Sequence, residues 1–278
     1  MTFDAAAETG LIEAVREIAR AEIMPRFRSL LPGEIEAKTR ADDLVTIADK
    51  RAEERLTEAV ARLMPGAACV GEEAVSENPA VRDRIETAGT CVIVDPVDGT
   101  WNFANGIPAF GVILAVAQEG ETIWGMIYDP IGDDWVTARR GEGARFVRPG
   151  RGEVALTLSA GPDGIADMNG MVHTYLFHGD ERRRLFGLLP DFGKTGNLRC
   201  SAHEYRTLAQ GGTDFVLSPV LNPWDHAAGC LIAEEAGGIA RLLNGEVYRP
   251  TIKDGRLLVA RSASAWGVLS GTFADLPS

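Results

Sequence analysis

Cys91-Val92-Ile93-Val94-Asp95-Pro96-Val97-Asp98-Gly99-Thr100 is the stretch on which the reading of this chain turns. The apolar run Cys91 to Val94 predicts a buried strand, and that strand delivers two carboxylates, Asp95 and Asp98, at its end. Gly99 lets the backbone approach a ligand, and Thr100 adds a hydroxyl. Asp95, Asp98 and the carbonyl of Val97 present hard oxygen donors from one turn, a set that favours magnesium over zinc. The competing account of the same residues is an Asx-type turn ahead of a helix. Two look-alikes fail. An EF-hand loop starting at Asp95 needs an oxygen-bearing side chain where Val97 stands and a glutamate where Gly106 stands. A phosphoaspartyl Asp-x-Asp-Gly-Thr motif needs a carboxylate where Pro96 stands.

Working outward, Ala5 to about Met24 reads as an amphipathic helix that Pro25 ends, and Asp49 to Leu63 as a second one stopped by Pro65-Gly66. The charged run Lys50, Arg51, Glu53, Glu54 and Arg55 reads as the solvated face of that second helix. Further strands are expected at Ala68–Val70, Gly111–Val116, Thr122–Ile127, Trp135–Ala138 and Ala144–Val147, separated by turn residues. Pro149-Gly150 marks a boundary. Beyond it, strands at Met171–Phe177 and Phe215–Leu217 alternate with helices near Asp180–Leu189, His203–Ala209 and Asp225–Glu235. The expected fold class is therefore α/β: an α+β half over residues 1–150 carrying most of the candidate ligands, and an α/β half over residues 151–278 carrying Asp225.

Composition bounds the function. With 40 Asp+Glu against 28 Lys+Arg the formal charge is −12, which argues against nucleic acid or an anionic membrane as partner. Four widely spaced cysteines without a C-x-x-C pair give neither a zinc knuckle nor a disulfide framework. The N-terminal stretch is interrupted by charge, and the longest stretch free of polar side chains, Ile107 to Ala117, is too short to cross a bilayer and contains Pro108 and Gly111. A cytoplasmic protein with small-molecule partners is the expectation.

Two more acidic elements matter. Glu72-Glu73 directly follows the short strand Ala68–Val70, and Asp225 lies in Asn222-Pro223-Trp224-Asp225-His226-Ala227-Ala228-Gly229. Taken singly, the glutamates read as surface residues and Asp225 as a helix N-cap. Taken together with Asp49 and the central motif, the ordered set resembles the inositol monophosphatase family of magnesium-dependent, lithium-sensitive phosphatases. The resemblance extends to Lys38 with Ala41-Asp42-Asp43-Leu44-Val45-Thr46, to Asn102-Phe103 and Gly106, and to Glu235-Ala236-Gly237-Gly238.

That resemblance implies a layered αβαβα sandwich of the sugar-phosphatase type and a homodimer, with two or three Mg²⁺ per site. Glu72, Asp95 and the Val97 backbone oxygen would share one metal; Asp95, Asp98 and Asp225 would share another. Phosphate would dock on these cations and on the N–H groups of Gly99 and Thr100. Asp49 and Thr100 would orient and deprotonate the attacking water, Glu73 would sit behind the ligands, and Lys38 would lie on a mobile loop near the metals. Four carboxylates in one pocket would raise one another's pKa, so the cations also hold the site together. The substrate implied is a small phosphorylated polyol, sugar or amino alcohol. A bisphosphate nucleotidase and a fructose bisphosphatase are related alternatives, and a non-catalytic binding protein on the same scaffold is another.

The chain departs from the family's pattern on the alcohol side. Inositol phosphatases carry a glutamate seven residues before the late-motif aspartate, where this chain has Ser218. The region Leu198 to Tyr205 likewise differs from the small-residue Gly-Thr-Ala pattern common in inositol phosphatases, and His203, Glu204 and Tyr205 either recognise a different alcohol or are ordinary surface side chains of a helix capped at Ser201. His226 either faces the leaving group or packs; His173 and His178 are read as structural.

Overall fold

The computed structural model describes residues 3–38, 40 and 43–276, so Ala41 and Asp42 of the resemblance lie outside the described residues. In chain order the first elements are α1 (Ala5–Ile18), the hairpin β1 (Ile35–Ala37) and β2 (Leu44–Thr46), α2 (Ile47–Leu63), β3 (Ala68–Gly71), α3 (Glu72–Glu77) and α4 (Arg84–Thr87). There follow β4 (Thr90–Asp98), α5 (Thr100–Ala104), β5 (Gly111–Gln118), β6 (Glu121–Asp129), β7 (Asp134–Arg139), β8 (Gly143–Arg148) and β9 (Gly152–Leu156). The remainder comprises β10 (Asn169–Val172), α6 (Gly179–Leu188), β11 (Lys194–Gly196), α7 (Ser201–Ala209), β12 (Phe215–Ser218), α8 (Pro223–Glu235), β13 (Ile239–Leu242), β14 (Leu257–Ala260) and α9 (Ala263–Thr272).

Strand β4 is buried on both faces, and its side chains divide with the two-residue period of a strand. Val92 and Val94 pack with α1 and α2, through residues such as Leu11, Val15, Leu56 and Val60. Cys91 and Ile93 point the other way, into a core shared with Tyr205 and Leu208 of α7 and Leu231 of α8. That core continues to Val216, Leu257 and Val259 of the second sheet, whose far face packs Phe215, Leu217 and Leu258 against Leu185 of α6 and Leu269 of α9. The layers therefore run α1/α2, first sheet, α7/α8, second sheet, α6/α9: the αβαβα sandwich expected.

The first sheet has order β3-β4-β5-β6-β7-β8-β9, parallel only between β3 and β4. Pro149-Gly150 is the turn of the β8–β9 hairpin, so this sheet extends past the expected boundary to Leu156. The second sheet has order β11-β10-β12-β14-β13 and is mixed, with β10 parallel to both neighbours and β14 antiparallel to both of its own. The strand expected at Met171–Phe177 stops at Val172, and residues 173–177 turn away from the sheet. Among the described residues no helix is long and apolar enough to cross a membrane.

Candidate active site

Residues three apart on a regular strand point to opposite faces, yet the carboxylates of Asp95 and Asp98 come together. A bulge lies between them: Asp95 pairs with Ile113 and Asp98 with Gly111, so β4 advances three residues while β5 advances two. Pro96 sits inside the bulge, where a ladder N–H is not required. Gly99 then turns the chain with φ +85°, and a Cβ there would lie 2.8 Å from the Ala109 carbonyl oxygen, so the sharp exit needs glycine. The helix it opens, α5, has only five residues, so the anion-binding potential expected there comes from local N–H groups rather than from a long macrodipole.

Asp225 completes the cradle. It is the third residue of α8, whose N-cap is Asn222, so it is not the cap that its position allowed; instead Asn222 Nδ2 donates to its Oδ2 at 3.1 Å. Carboxylate oxygens of Asp95, Asp98 and Asp225 lie within 4.8 Å of one another. Asp98 Oδ2 accepts the Ala202 N–H at 2.6 Å and the Cys200 thiol at 3.0 Å, which docks the start of α7 on the cradle. Burial raises the pKa of Asp98 to about 6 against those hydrogen bonds. Burial first, then neighbouring carboxylates, push Asp95 and Asp225 well above the ordinary range. Ion-free, this cluster resists ionisation; all-oxygen donors packed this closely fit a hard divalent cation.

Asp49 and Thr100 also meet. Thr46 caps α2 and gives its N–H and hydroxyl to Asp49 Oδ2 at 2.8 and 2.6 Å, which leaves Oδ1 facing Thr100 Oγ1 at 3.0 Å. The Thr100 hydroxyl has a second acceptor, the Val97 carbonyl, also at 3.0 Å. Burial raises Asp49 to about 6.

Glu72 lines the same cleft, but the close cluster consists of the three aspartates. Lys38 Nζ lies 2.7 Å from both Glu72 Oε1 and Glu73 Oε1, so the residue assigned to a mobile loop clamps the two glutamates. Burial and the charge of Glu72 lift Glu73 to about 8.

One residue of this region escaped the sequence reading. Glu53 was placed on a solvated face, yet it is buried and accepts the N–H groups of Glu73 and Ala74, each at 2.8 Å, at the first turn of α3. Gly71 makes room for it, since a Cβ there would fall 2.1 Å from the Glu53 carboxyl carbon. The signal was available: Glu53 shares the helical stripe of Asp49, Ala52 and Leu56. Glu53→Ala is expected to cost about 1–3 kcal/mol in urea unfolding, because the α3 N–H groups lose their acceptor, and to weaken the stabilisation by Mg²⁺. Unchanged values for both would show that α3 does not depend on this acceptor.

The alcohol side differs from expectation. Ser218 turns its hydroxyl to the Val220 carbonyl at 3.0 Å; His203 bonds the Phe110 carbonyl at 3.1 Å through Nε2. Glu204 is fully buried, and both nitrogens of His226 are occupied, by the Tyr205 hydroxyl at 3.0 Å and the Val220 carbonyl at 2.9 Å. None of these four lines the cleft, which has a volume of about 530 Å³. Its wall is made instead by Trp101, His173, Tyr175, His178 and Arg199, including both histidines read as structural. The Arg199 guanidinium lies 4.4 Å over Trp101 and 5.0 Å over Tyr175.

A layered fold with an acidic cradle between the end of β4 and the first turn of α8 is the architecture of a phosphatase family. A sequence model of the inositol monophosphatase family matches residues 5–275, and the chain belongs to that family. It is 30% identical over 220 residues to the inositol-1-monophosphatase of Bacillus subtilis, covering 77% of this chain and 78% of that protein. It is 31% identical over 223 residues to Nus factor SuhB of Escherichia coli K12, covering 77% and 78%. A Thermotoga maritima protein named fructose-1,6-bisphosphatase/inositol-1-monophosphatase is 29% identical over 217 residues, covering 76% of each. Among solved structures, SuhB of Bartonella henselae superposes with TM-score 0.76 at 26% identity, covering 98% of this chain and 99% of that one. The T. maritima IMPase structure gives TM-score 0.77 at 22% identity over 96% and 97%, a likeness of fold.

Proposed function

We propose that this protein hydrolyses a small phosphate monoester to an alcohol and inorganic phosphate, with Mg²⁺ held by Asp95, Asp98 and Asp225 and with Glu72 and the Val97 carbonyl as further donors. The observation that carries the reading is a three-aspartate cradle and Thr100 on one cleft, with the buried Asp49 hydrogen-bonded to Thr100 behind it. When bound, Mg²⁺ supplies positive charge to the phosphate oxygens and acidifies water.

The chain's own residues supply direction. The N–H groups of Gly99 and Thr100 border the cleft and receive a phosphate oxygen. Thr100 Oγ1 faces the attacking water; as the water oxygen bonds phosphorus, its proton passes to Oγ1 while the Thr100 proton moves to Asp49 Oδ1. The bond from phosphorus to the ester oxygen breaks on the opposite side, and solvent returns a proton to the departing alcohol. Thr100→Ala is expected to lower kcat about a hundredfold with little change in KM, since orientation of water contributes chiefly in the transition state. A change confined to KM would remove Thr100 from this role.

The deciding experiment is colorimetric phosphate release from inositol phosphates, histidinol phosphate, sugar phosphates and nucleoside bisphosphates, with and without Mg²⁺, and with added Li⁺. Magnesium-dependent release from one group is expected, with lithium inhibition. Relatives named Nus factor SuhB favour a second reading, a metal-dependent partner-binding protein. It predicts Mg²⁺ binding without phosphate release from any of these esters.

A further inference from the structure

Behind the cleft wall lies another buried carboxylate that the metal cradle does not use, that of Glu204. The two oxygens of Glu204 are taken by His173 Nε2 at 2.5 Å and by the Leu198 N–H at 2.7 Å. His173 is only 3% exposed and lines the cleft just after β10. Its ring stacks on His226 at 6.2 Å and 21°, and His226 is itself fixed at both nitrogens. The imidazole is thereby locked in place. Glu204 receives Nε2–H, and the remaining nitrogen, Nδ1, makes no hydrogen bond to the described residues.

A carboxylate that fixes the tautomer and direction of a histidine is how proteins aim the other ring nitrogen at a ligand. Burying both groups is costly unless each is paired, and one half of the histidine's capacity is left facing the cleft. The place where inositol phosphatases carry a glutamate holds Ser218, whose hydroxyl is turned to Val220. Ser218 does not line the cleft, and the wall's polar side chains include the imidazole of His173, whose ring centroid lies 6.1 Å from that of Tyr175.

We propose that His173 is a substrate-binding residue, and Glu204 the residue that positions it: Nδ1 hydrogen-bonds a polar group on the alcohol portion of the ester, so the cleft prefers such esters over plain alkyl phosphates. This rests on the hydrolytic reading above and narrows its substrate class.

The test compares kcat/KM of the full-length, Mg²⁺-loaded protein on methyl phosphate, which has no such group, with that on the best ester of the phosphate-release panel. The discrimination ratio is expected to fall at least about tenfold in His173→Gln, mainly through KM, and about threefold in Glu204→Gln, which keeps the imidazole but aims it less firmly. A merely structural role would lower both substrates together and leave the ratio at its wild-type value, which overturns the inference. If His173→Gln shows no cooperative melting, the ratio in Glu204→Gln decides alone, within twofold of wild type counting against. Wild-type protein that releases phosphate from no ester overturns the hydrolytic reading and this inference with it; release with an unaltered ratio overturns this inference only.

Discussion

Asp98→Asn is expected to release phosphate roughly a thousandfold more slowly than the parent while remaining folded, a rate loss equivalent to about 4 kcal/mol of transition-state stabilisation. Asp225→Asn should match it. The substitution removes one charge from the cradle and keeps an oxygen able to accept the Ala202 N–H, so α7 stays docked. Without Mg²⁺, relieving repulsion among buried carboxylates should leave the melting temperature unchanged or higher. With Mg²⁺ the order reverses, because a ligand stabilises a fold only in proportion to its occupancy, and the weakened cradle fills less readily. Loss of the Mg²⁺-induced rise in melting temperature, alongside loss of turnover, is the paired result expected. Wild-type turnover in either variant would remove the aspartate cradle from the reaction.

The cradle was legible because its parts lie at element ends with strong local signals: an apolar run before Asp95, a glycine after Asp98, a proline ahead of Asp225. Even so, the bulge that brings Asp95 and Asp98 to one side has no letter of its own beyond Pro96, and plain alternation would have parted them. The alcohol wall was not legible. His203, Glu204 and His226 stand close in the chain to candidate site residues, but helix geometry turns them into packing and hydrogen bonding, while His173 lines the cleft because β10 ends at Val172, five residues short of the expected Phe177. Similarly, β13 and β14 are four-residue segments too short for periodicity to separate from helix, and only the pairing of β14 with β12 and of β13 with β14 defines them. Glu53 shows the opposite failure, where a charge run concealed one buried member.

Gly229→Val is expected to be strongly damaging, lowering stability by about 3 kcal/mol or more and the melting temperature by roughly 6–12 °C. A Cβ at Gly229 would fall 2.2 Å from Cγ of Tyr205, so α7 and α8 touch through a position that has no room for a side chain. Tyr205 cannot swing clear, because its hydroxyl is held by His226 Nδ1 and its ring is 1% exposed. Nor can α8 retreat toward β6, where a Cβ at Gly125 would already lie 2.7 Å from the Ala228 backbone. The strain therefore moves α7, and α7 carries the Ala202 N–H that anchors Asp98. Turnover should fall with stability, and Tyr205→Leu in the same chain should recover part of both by vacating the space, a coupling that a double-mutant cycle measures. A melting temperature within about 2 °C of wild type for Gly229→Val would mean that the two helices are not packed this closely, and with it the link from their contact to the geometry of Asp98 would be lost.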